Sequence, residues 1–165
     1  MSANGYVACG LLVLAITVNC MAVYLQKKHL IYERFGGKAH AVHASVISIF
    51  WLAFIVSYVW LETQTPAGAV PFNQVTGGII KLVAVIIFYQ SLKQIGNGAL
   101  TNKDLFTNKR VTLSGIYSYV REPIYTSYTL FIFGSAIGTG IAGFYYLALI
   151  SLIGLQLIEA KIESL

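Results

Sequence analysis

The sequence has few charged residues and is rich in apolar ones. Asp, Glu, Lys and Arg make up 10% of its 165 residues, and hydrophobic residues make up 57%. An ordinary soluble domain carries about 25% charged residues, so this composition is not that of a soluble enzyme, a disordered chain or a disulfide-rich secreted module. At roughly 20 apolar residues per crossing, the chain has room for four or five transmembrane helices.

Disulfides and the common motifs of soluble enzymes are also missing. Cys9 and Cys20 lie in the same apolar stretch, where a helix would separate them by about 16 Å, too far for a disulfide. No phosphate-binding glycine loop, G-x-G-x-x-G fingerprint or Ser-His-Asp order is present. His40 and His43 share an i, i+3 spacing but have no visible third partner, so we expect no metal site.

Five apolar stretches predict an all-α, polytopic membrane protein with about five transmembrane helices. They cover residues 5–25, 41–61, 75–92, 123–143 and 144–158. The last two are almost contiguous and should form a C-terminal helical hairpin. Gly134, Gly138 and Gly140 would let a neighbouring helix approach closely. We expect one transmembrane domain over residues 1–165, with three helices in residues 1–92 and a polar loop and the hairpin in residues 93–165.

The basic residues predict the orientation of these helices. They concentrate between stretches one and two, between stretches three and four, and after stretch five: Lys27, Lys28, Arg34, Lys38, Lys93, Lys103, Lys109, Arg110, Arg121 and Lys161. The segment 62–74 has no Lys or Arg. The positive-inside rule then predicts a multi-pass protein with its N-terminus outside and its C-terminus cytoplasmic. Because Lys and Arg report topology here, the net charge of +5 does not indicate a nucleic-acid partner. Lys81 lies inside a predicted helix, where it could snorkel or form a pair inside the bundle. A charge there is a functional-site hypothesis whose partner the sequence does not name.

Polar residues concentrate in the segment 93–128, which leads into the fourth stretch. Pro123 suits the first turn of a helix, which places Glu122 close to a helix N-terminus, where negative charge is favoured. Glu159 and Glu163 are spaced i, i+4 and would share a helix face at the same end of the hairpin. These groups are consistent either with contacts to lipid headgroups or with a polar pocket for a water-soluble ligand beside a lipid.

A family resemblance favours the second interpretation. Residues 113–125 read Leu-Ser-Gly-Ile-Tyr-Ser-Tyr-Val-Arg-Glu-Pro-Ile-Tyr. This run resembles the signature of the isoprenylcysteine carboxyl methyltransferase family and its phospholipid methyltransferase relatives, approximately Gly-x-Tyr-x-x-x-Arg-His-Pro-x-Tyr. The resemblance covers roughly residues 92–165. It implies an integral membrane enzyme that binds S-adenosylmethionine at the cytoplasmic end of the hairpin and methylates an isoprenylated cysteine carboxylate or another lipid-borne acceptor.

The resemblance also implies which residues form the site. Those that would bind the cofactor are Leu113, Gly115, Tyr117, Arg121, Tyr125 and Glu163. Those that would act in catalysis are Arg121, Glu122 and Glu163. No metal is implied, and the expected partners are membrane lipids and a lipid or prenylated acceptor. Two positions depart from the family pattern, because Glu122 replaces the motif's His and Ser164 replaces the second Glu of an acidic pair.

Two alternatives stay open at this point. Membrane sterol and enone reductases share a similar Arg-His-Pro/Asn-x-Tyr-like motif, although they are usually longer and carry more basic residues for the phosphate of NADPH. The chain could also be a membrane scaffold that retains the hairpin and has lost the site.

Overall fold

The computed structural model describes residues 3–27, 38–63, 71–95, 115–120 and 122–159. This part of the chain is helical and contains no strand, which confirms the all-α prediction. The α-helices are α1 (Ala3–Lys27), α2 (Ala39–Thr63), α3 (Pro71–Ile95), α4 (Pro123–Thr139) and α5 (Ala142–Ser151). A short 3₁₀ helix (Gly115–Ser118) precedes α4, and a π-helical segment (Leu152–Glu159) continues α5.

The first three helices are long and apolar enough to cross a bilayer. The candidate spans are Gly5–Leu25, Ala44–Thr63 and Asn73–Gln94, which confirms three predicted stretches. The chain is therefore a membrane protein. Helix α4 has 17 residues and is about 25 Å long, somewhat short of a hydrocarbon core of about 30 Å. The prediction of five crossings, and the orientation of the termini, remain predictions.

The helices pack side by side in an open arc. Helix α3 packs most extensively against α4, which packs against α5; α5 in turn contacts α1, and α1 contacts α2. Although α2 and α3 are neighbours in sequence, their described residues hardly touch. We call the end where α3 finishes and α4 begins the motif end, and the end where α2 finishes and α3 begins the opposite end.

Close approach between α3 and α4 depends on glycine. A Cβ atom at Gly77 would come within 2.7 Å of the backbone of Gly138, and one at Gly134 would come within 2.8 Å of the carbonyl oxygen of Gly77. The predicted packing role of Gly134 and Gly138 is confirmed. Gly140 acts differently: it ends α4 in the left-handed conformation, with φ of 67°, and its N–H donates to the Ala136 carbonyl oxygen at 2.9 Å.

The hairpin of α4 and α5 forms with the predicted tight connection. Thr129 on α4 and Ser151 on α5 share a hydrogen bond of 2.9 Å between their hydroxyl oxygens. The fifth stretch changes at Leu152 from α-helical to π-helical geometry, which the sequence did not predict. The expected common face of Glu159 and Glu163 assumed α-helical spacing, whereas the segment ending at Glu159 is π-helical. Glu163 itself lies outside the described residues.

Candidate functional site

The 3₁₀ helix at the motif end is a compact turn. Gly115 adopts a left-handed conformation with φ of 60°. The Ser118 hydroxyl donates to the Gly115 carbonyl oxygen at 2.6 Å, and the N–H groups of Tyr119 and Val120 donate to the Ile116 carbonyl oxygen at 3.1 and 3.0 Å. Glycine suits the first position because a left-handed backbone costs other residues about 1–2 kcal/mol.

Gly115 also fixes where this turn lies. The turn packs on the last part of α3, and a Cβ atom at Gly115 would coincide with the side chain of Gln94. The absence of a side chain at Gly115 therefore leaves room for the Gln94 side chain beside the turn. This contact with α3 locates the turn at the motif end.

Helix α4 begins as the sequence predicts. Pro123 occupies the first helical turn and is buried, and Glu122 is the N-cap residue. The Glu122 carbonyl oxygen accepts hydrogen bonds from the Thr126 N–H and the Thr126 hydroxyl, both at 2.9 Å. The Glu122 carboxylate does not cap the helix, yet it lies at the end where the helix dipole favours negative charge.

Tyrosines surround this helix start at different depths. Tyr117 and Tyr125 are partly buried, and Tyr125 packs against the apolar core. Tyr119 is 88% exposed. Partly buried tyrosine rings can line a small-molecule site and attract a cation through their faces. Tyr117 and Tyr125 thus retain the character expected of site residues, and Tyr119 suits the membrane interface.

The structure places four of the seven predicted site residues together. Gly115, Tyr117, Glu122 and Tyr125 all lie at the motif end, in the turn and the first turn of α4. Leu113, Arg121 and Glu163 lie outside the described residues. The roles predicted for all seven residues remain predictions. Within the described ranges, no group of three or more His, Cys, Asp or Glu residues could hold a metal ion.

The π-helical segment brings the hairpin back to the motif end. It packs against α1, where a Cβ atom at Gly154 would come within 2.6 Å of the Ile16 side chain. π-Helical turns are rare and are often found at functional sites. The segment ends at Glu159, which the sequence analysis had placed near the site. The π geometry was not foreseen because the apolar pattern of 144–158 also fits an α-helix.

A second polar cluster lies toward the opposite end. Lys81 on α3 forms an ion pair with Glu62 on α2, and the Ser135 hydroxyl on α4 donates to the same carboxylate oxygen at 3.3 Å. Tyr58 hydrogen-bonds to Ser135, and because Ser135 gives its single proton to Glu62, Tyr58 is the donor. The partner of Lys81 is thus Glu62, which is 19 residues away in sequence and was missed because no local spacing links the two.

An apolar groove separates α2 from α3, and we call it the α2–α3 groove. Its volume is about 890 Å³, within the usual range of ligand sites. Its walls include Trp51 and Ile55 on α2 and Val85 and Phe88 on α3, and Tyr128 on α4 contributes to its floor. The Tyr128 ring lies 5.3 Å from Trp51 and 5.6 Å from Phe88, measured between ring centroids. No pattern in the sequence predicts this cavity.

Comparison with known families identifies the chain. A family model described as phospholipid methyltransferase matches residues 72–164. The chain belongs to the phospholipid methyltransferase family. The matched region contains α3, the 3₁₀ turn, α4, α5 and the π-helical segment. It therefore includes the whole of the motif at residues 113–125 and the helices around it. No curated protein and no solved structure matches the chain.

Membership in this family supports a membrane methyltransferase of the phospholipid or isoprenylcysteine type. It confirms the resemblance drawn from residues 113–125 and favours a methyltransferase over the reductase alternative. The match also begins earlier than the sequence resemblance did, at residue 72 instead of about residue 92. Helix α3 therefore belongs to the family unit, whereas α1 and α2 lie before it.

Proposed function

We propose that this protein transfers a methyl group from S-adenosylmethionine to a lipid-borne acceptor at the motif end. The observation that carries the proposal is the family match, because its residues 72–164 include the Gly115 turn, the start of α4 and the hairpin. Bound S-adenosylmethionine would supply an electrophilic methyl group on a sulfonium. The protein's own contribution is alignment and a dry, charge-matched environment, and it needs no metal for this.

The residues at the motif end suit the charges of this cofactor. Arg121 would hold the carboxylate through its planar guanidinium. Glu122, at the N-cap of α4, would repel that carboxylate and attract the ammonium, so the two ends of the amino-acid moiety would point to neighbouring residues. The partly buried rings of Tyr117 and Tyr125 would favour a sulfonium through cation–π attraction.

The acceptor decides whether a base is needed. The carboxylate of an isoprenylated cysteine is already anionic near neutral pH and can attack a methyl group directly. An amine headgroup must lose a proton when its nitrogen is methylated, and Glu122 or Glu163 would accept that proton. Assays of methyl transfer with a prenylcysteine acceptor and with phosphatidylethanolamine, each against labelled S-adenosylmethionine, distinguish the two acceptors.

Titration with S-adenosylmethionine in detergent tests the cofactor site. We expect saturable binding, and we expect Arg121→Ala to weaken it by about tenfold or more, because a hydrogen bond between charged groups contributes about 1.5–3 kcal/mol. Lys38→Ala is the matched control, since Lys38 is an exposed basic residue that is also predicted to be cytoplasmic. Equal affinity in the two variants would remove Arg121 from the site, and absence of binding by the unmodified chain would favour a non-catalytic relative.

Glu122 can be tested by restoring the residue usual in the family motif. If Glu122 holds the ammonium or accepts a proton, Glu122→His should weaken S-adenosylmethionine binding or slow transfer to an amine. If Glu122 only repels the carboxylate, the same substitution should strengthen binding, because histidine can donate to a carboxylate. The second result would contradict the role proposed here for Glu122.

We further propose that the motif end faces the cytoplasm, as the distribution of basic residues predicts. The test is labelling of single cysteines introduced as Thr65→Cys and Asn108→Cys in a background without Cys9 and Cys20. A membrane-impermeant reagent should reach Asn108→Cys only from the cytoplasmic side and Thr65→Cys only from the other side. Labelling of both from one side would contradict the proposed topology.

A further inference from the structure

The α2–α3 groove is long enough to hold a hydrocarbon chain. It extends along α2 from Ile47 to Glu62, a helical distance of about 22 Å at roughly 1.5 Å per residue. Apart from Ser48, Ser127, the Tyr58 and Tyr128 hydroxyls and Glu62, its lining is hydrocarbon and aromatic. A groove that is long and apolar suits an extended apolar ligand.

The groove opens sideways into the membrane. Leu52, Ile55 and Val59 on α2 and Val85 on α3 line it and are about half exposed or more. All four belong to candidate membrane spans, so the opening lies at the depth of lipid chains. Water is a poor occupant of a cavity with few polar partners, whereas a lipid chain can enter without leaving the bilayer.

One end of the groove lies toward the candidate cofactor site. Ser127 and Tyr128 on α4 line the groove, and Tyr128 follows Tyr125 by three residues, which places the two on neighbouring parts of one helix face. The N-cap residue Glu122 precedes Tyr128 by six residues, or about 9 Å along the helix axis. A lipid with its chain in the groove would therefore carry its headgroup to the start of α4.

The other end is closed by polar groups that already bind one another. Lys81 pairs with Glu62, Ser135 donates to Glu62, and Tyr58 donates to Ser135. This cluster links α2, α3 and α4 across the far part of the groove. Because the charges of this cluster are paired within the protein, the cluster is better suited to border the end of an acyl chain than to bind a second headgroup.

We infer that the α2–α3 groove binds one acyl chain of a phospholipid methyl acceptor, with the headgroup at the motif end and the terminal methyl group toward the Glu62–Lys81 pair. This inference rests on the proposed function. A phospholipid is favoured because the family model is that of a phospholipid methyltransferase and because a sideways opening admits a chain that remains attached to a bilayer lipid.

The chain's two tryptophans provide a binding test that does not depend on activity. Trp51 lines the groove, whereas Trp60 is 57% exposed and is not among the lining residues. Trp60→Phe and Trp51→Phe each leave one fluorophore. The probe is phosphatidylethanolamine with brominated chains, titrated into bilayers of phosphatidylcholine, whose quaternary nitrogen cannot accept a methyl group. We expect saturable quenching of Trp51 and non-saturating quenching of Trp60; non-saturating quenching of both would mean that bulk lipid fills the groove and would overturn the inference.

Matched substitutions then locate the acyl chain of the lipid within the groove. Val85 and Val83 are both on α3 and similarly exposed, but only Val85 lines the groove. In the Trp60→Phe background, Val85→Phe should raise the half-saturating probe concentration by about tenfold, equivalent to losing the burial of about two methylene groups. Val83→Phe should leave it unchanged. Equal values for the two variants would overturn the inference.

A second pair examines the far end and protects the test against misfolding of one variant. Val59 lines the groove and Val56 does not, although both are exposed on α2. Val59→Phe should shift binding toward shorter acyl chains, and Val56→Phe should not. An unchanged chain-length preference would contradict the proposed direction of the acyl chain.

Titration with S-adenosylmethionine in the same samples separates the two proposals. Saturable quenching of Trp51 without cofactor binding would overturn the proposed function alone, and cofactor binding without saturable quenching would overturn the groove alone.

Discussion

Helix α3 takes part in two contacts that differ in almost every respect. Toward α4 it is closed, with Gly77 against Gly134 and Gly138. Toward α2 it is open, and the α2–α3 groove occupies the space between them. The closed side holds together the two helices that carry the motif, and the open side leaves room for a ligand. The comparison indicates that the two sides of α3 have separate roles. The packed side holds the motif helices in place, and the open side can adapt to a ligand.

The closed contact should be the less tolerant of substitution. Gly77→Leu places a side chain against the backbone of α4, which cannot move aside, so we expect a loss of about 3 kcal/mol, the upper part of the usual range for overpacking. Gly78→Leu is the matched control, because a Cβ atom at Gly78 meets nothing within 4 Å. Thermal unfolding in detergent measures both. Similar midpoints for the two variants would show that the α3–α4 contact is looser than described.

Among the described residues, the Lys81–Glu62 ion pair joins α3 to α2 on the open side, and its side chains are 26% and 32% exposed. Lys81→Leu leaves the Glu62 charge without its cationic partner, and we expect a loss of about 1–2 kcal/mol, smaller than for a fully buried pair because of this exposure. Lys93→Leu is the control, since Lys93 is an exposed basic residue at the end of the same helix.

Adding Glu62→Leu to Lys81→Leu should recover part of the stability, because the pair's desolvation is removed along with its attraction. Unfolding of the single and double variants forms a double-mutant cycle that isolates the interaction. If the double variant loses more stability than the two single variants together, the view that the pair is a simple bridge across the groove is contradicted.

A further effect on stability, similar in size, concerns the turn that the closed contact positions. Gly115→Ala should cost about 1–2 kcal/mol of backbone strain at a positive φ, confined to the turn, since the displaced neighbour is the flexible Gln94 side chain. Gly140→Ala is a close control, because Gly140 has φ of 67° at the opposite end. Both variants should lower stability alike. Only Gly115→Ala should weaken S-adenosylmethionine binding, by about tenfold, which corresponds to a loss of ~1.4 kcal/mol of binding free energy. Equal cofactor affinity in the two variants would show that the turn does not contribute to the cofactor site.

Local sequence signals predicted the closed side well. Apolar stretches predicted α1, α2 and α3, small residues predicted the approach of α4 to its neighbour, and Pro123 predicted where α4 begins. The motif at residues 113–125 predicted the family, and the match over residues 72–164 confirms it. These features depend on residues close in sequence or on a motif of fixed spacing.

Sequence signals did not predict the open side, and the reason is physical. A groove arises where two helices fail to touch, and no residue type marks a missing contact. The Glu62–Lys81 pair joins two different helices, so the partner of Lys81 depends on how those helices are rotated and not on sequence spacing. The change to π-helical geometry at Leu152 has the same origin, since apolar periodicity does not distinguish a widened turn from an α-helical one.

The most direct test of this division of roles measures two affinities in the same two variants. Gly115→Ala alters the turn on the closed side, and Val85→Phe narrows the groove on the open side. We predict that Gly115→Ala raises the Kd for S-adenosylmethionine and leaves the half-saturating concentration of the brominated phospholipid unchanged, and that Val85→Phe does the reverse. If either variant changes both affinities to the same extent, or if neither variant changes either affinity, the proposed separation of cofactor and acceptor sites along α3 is contradicted.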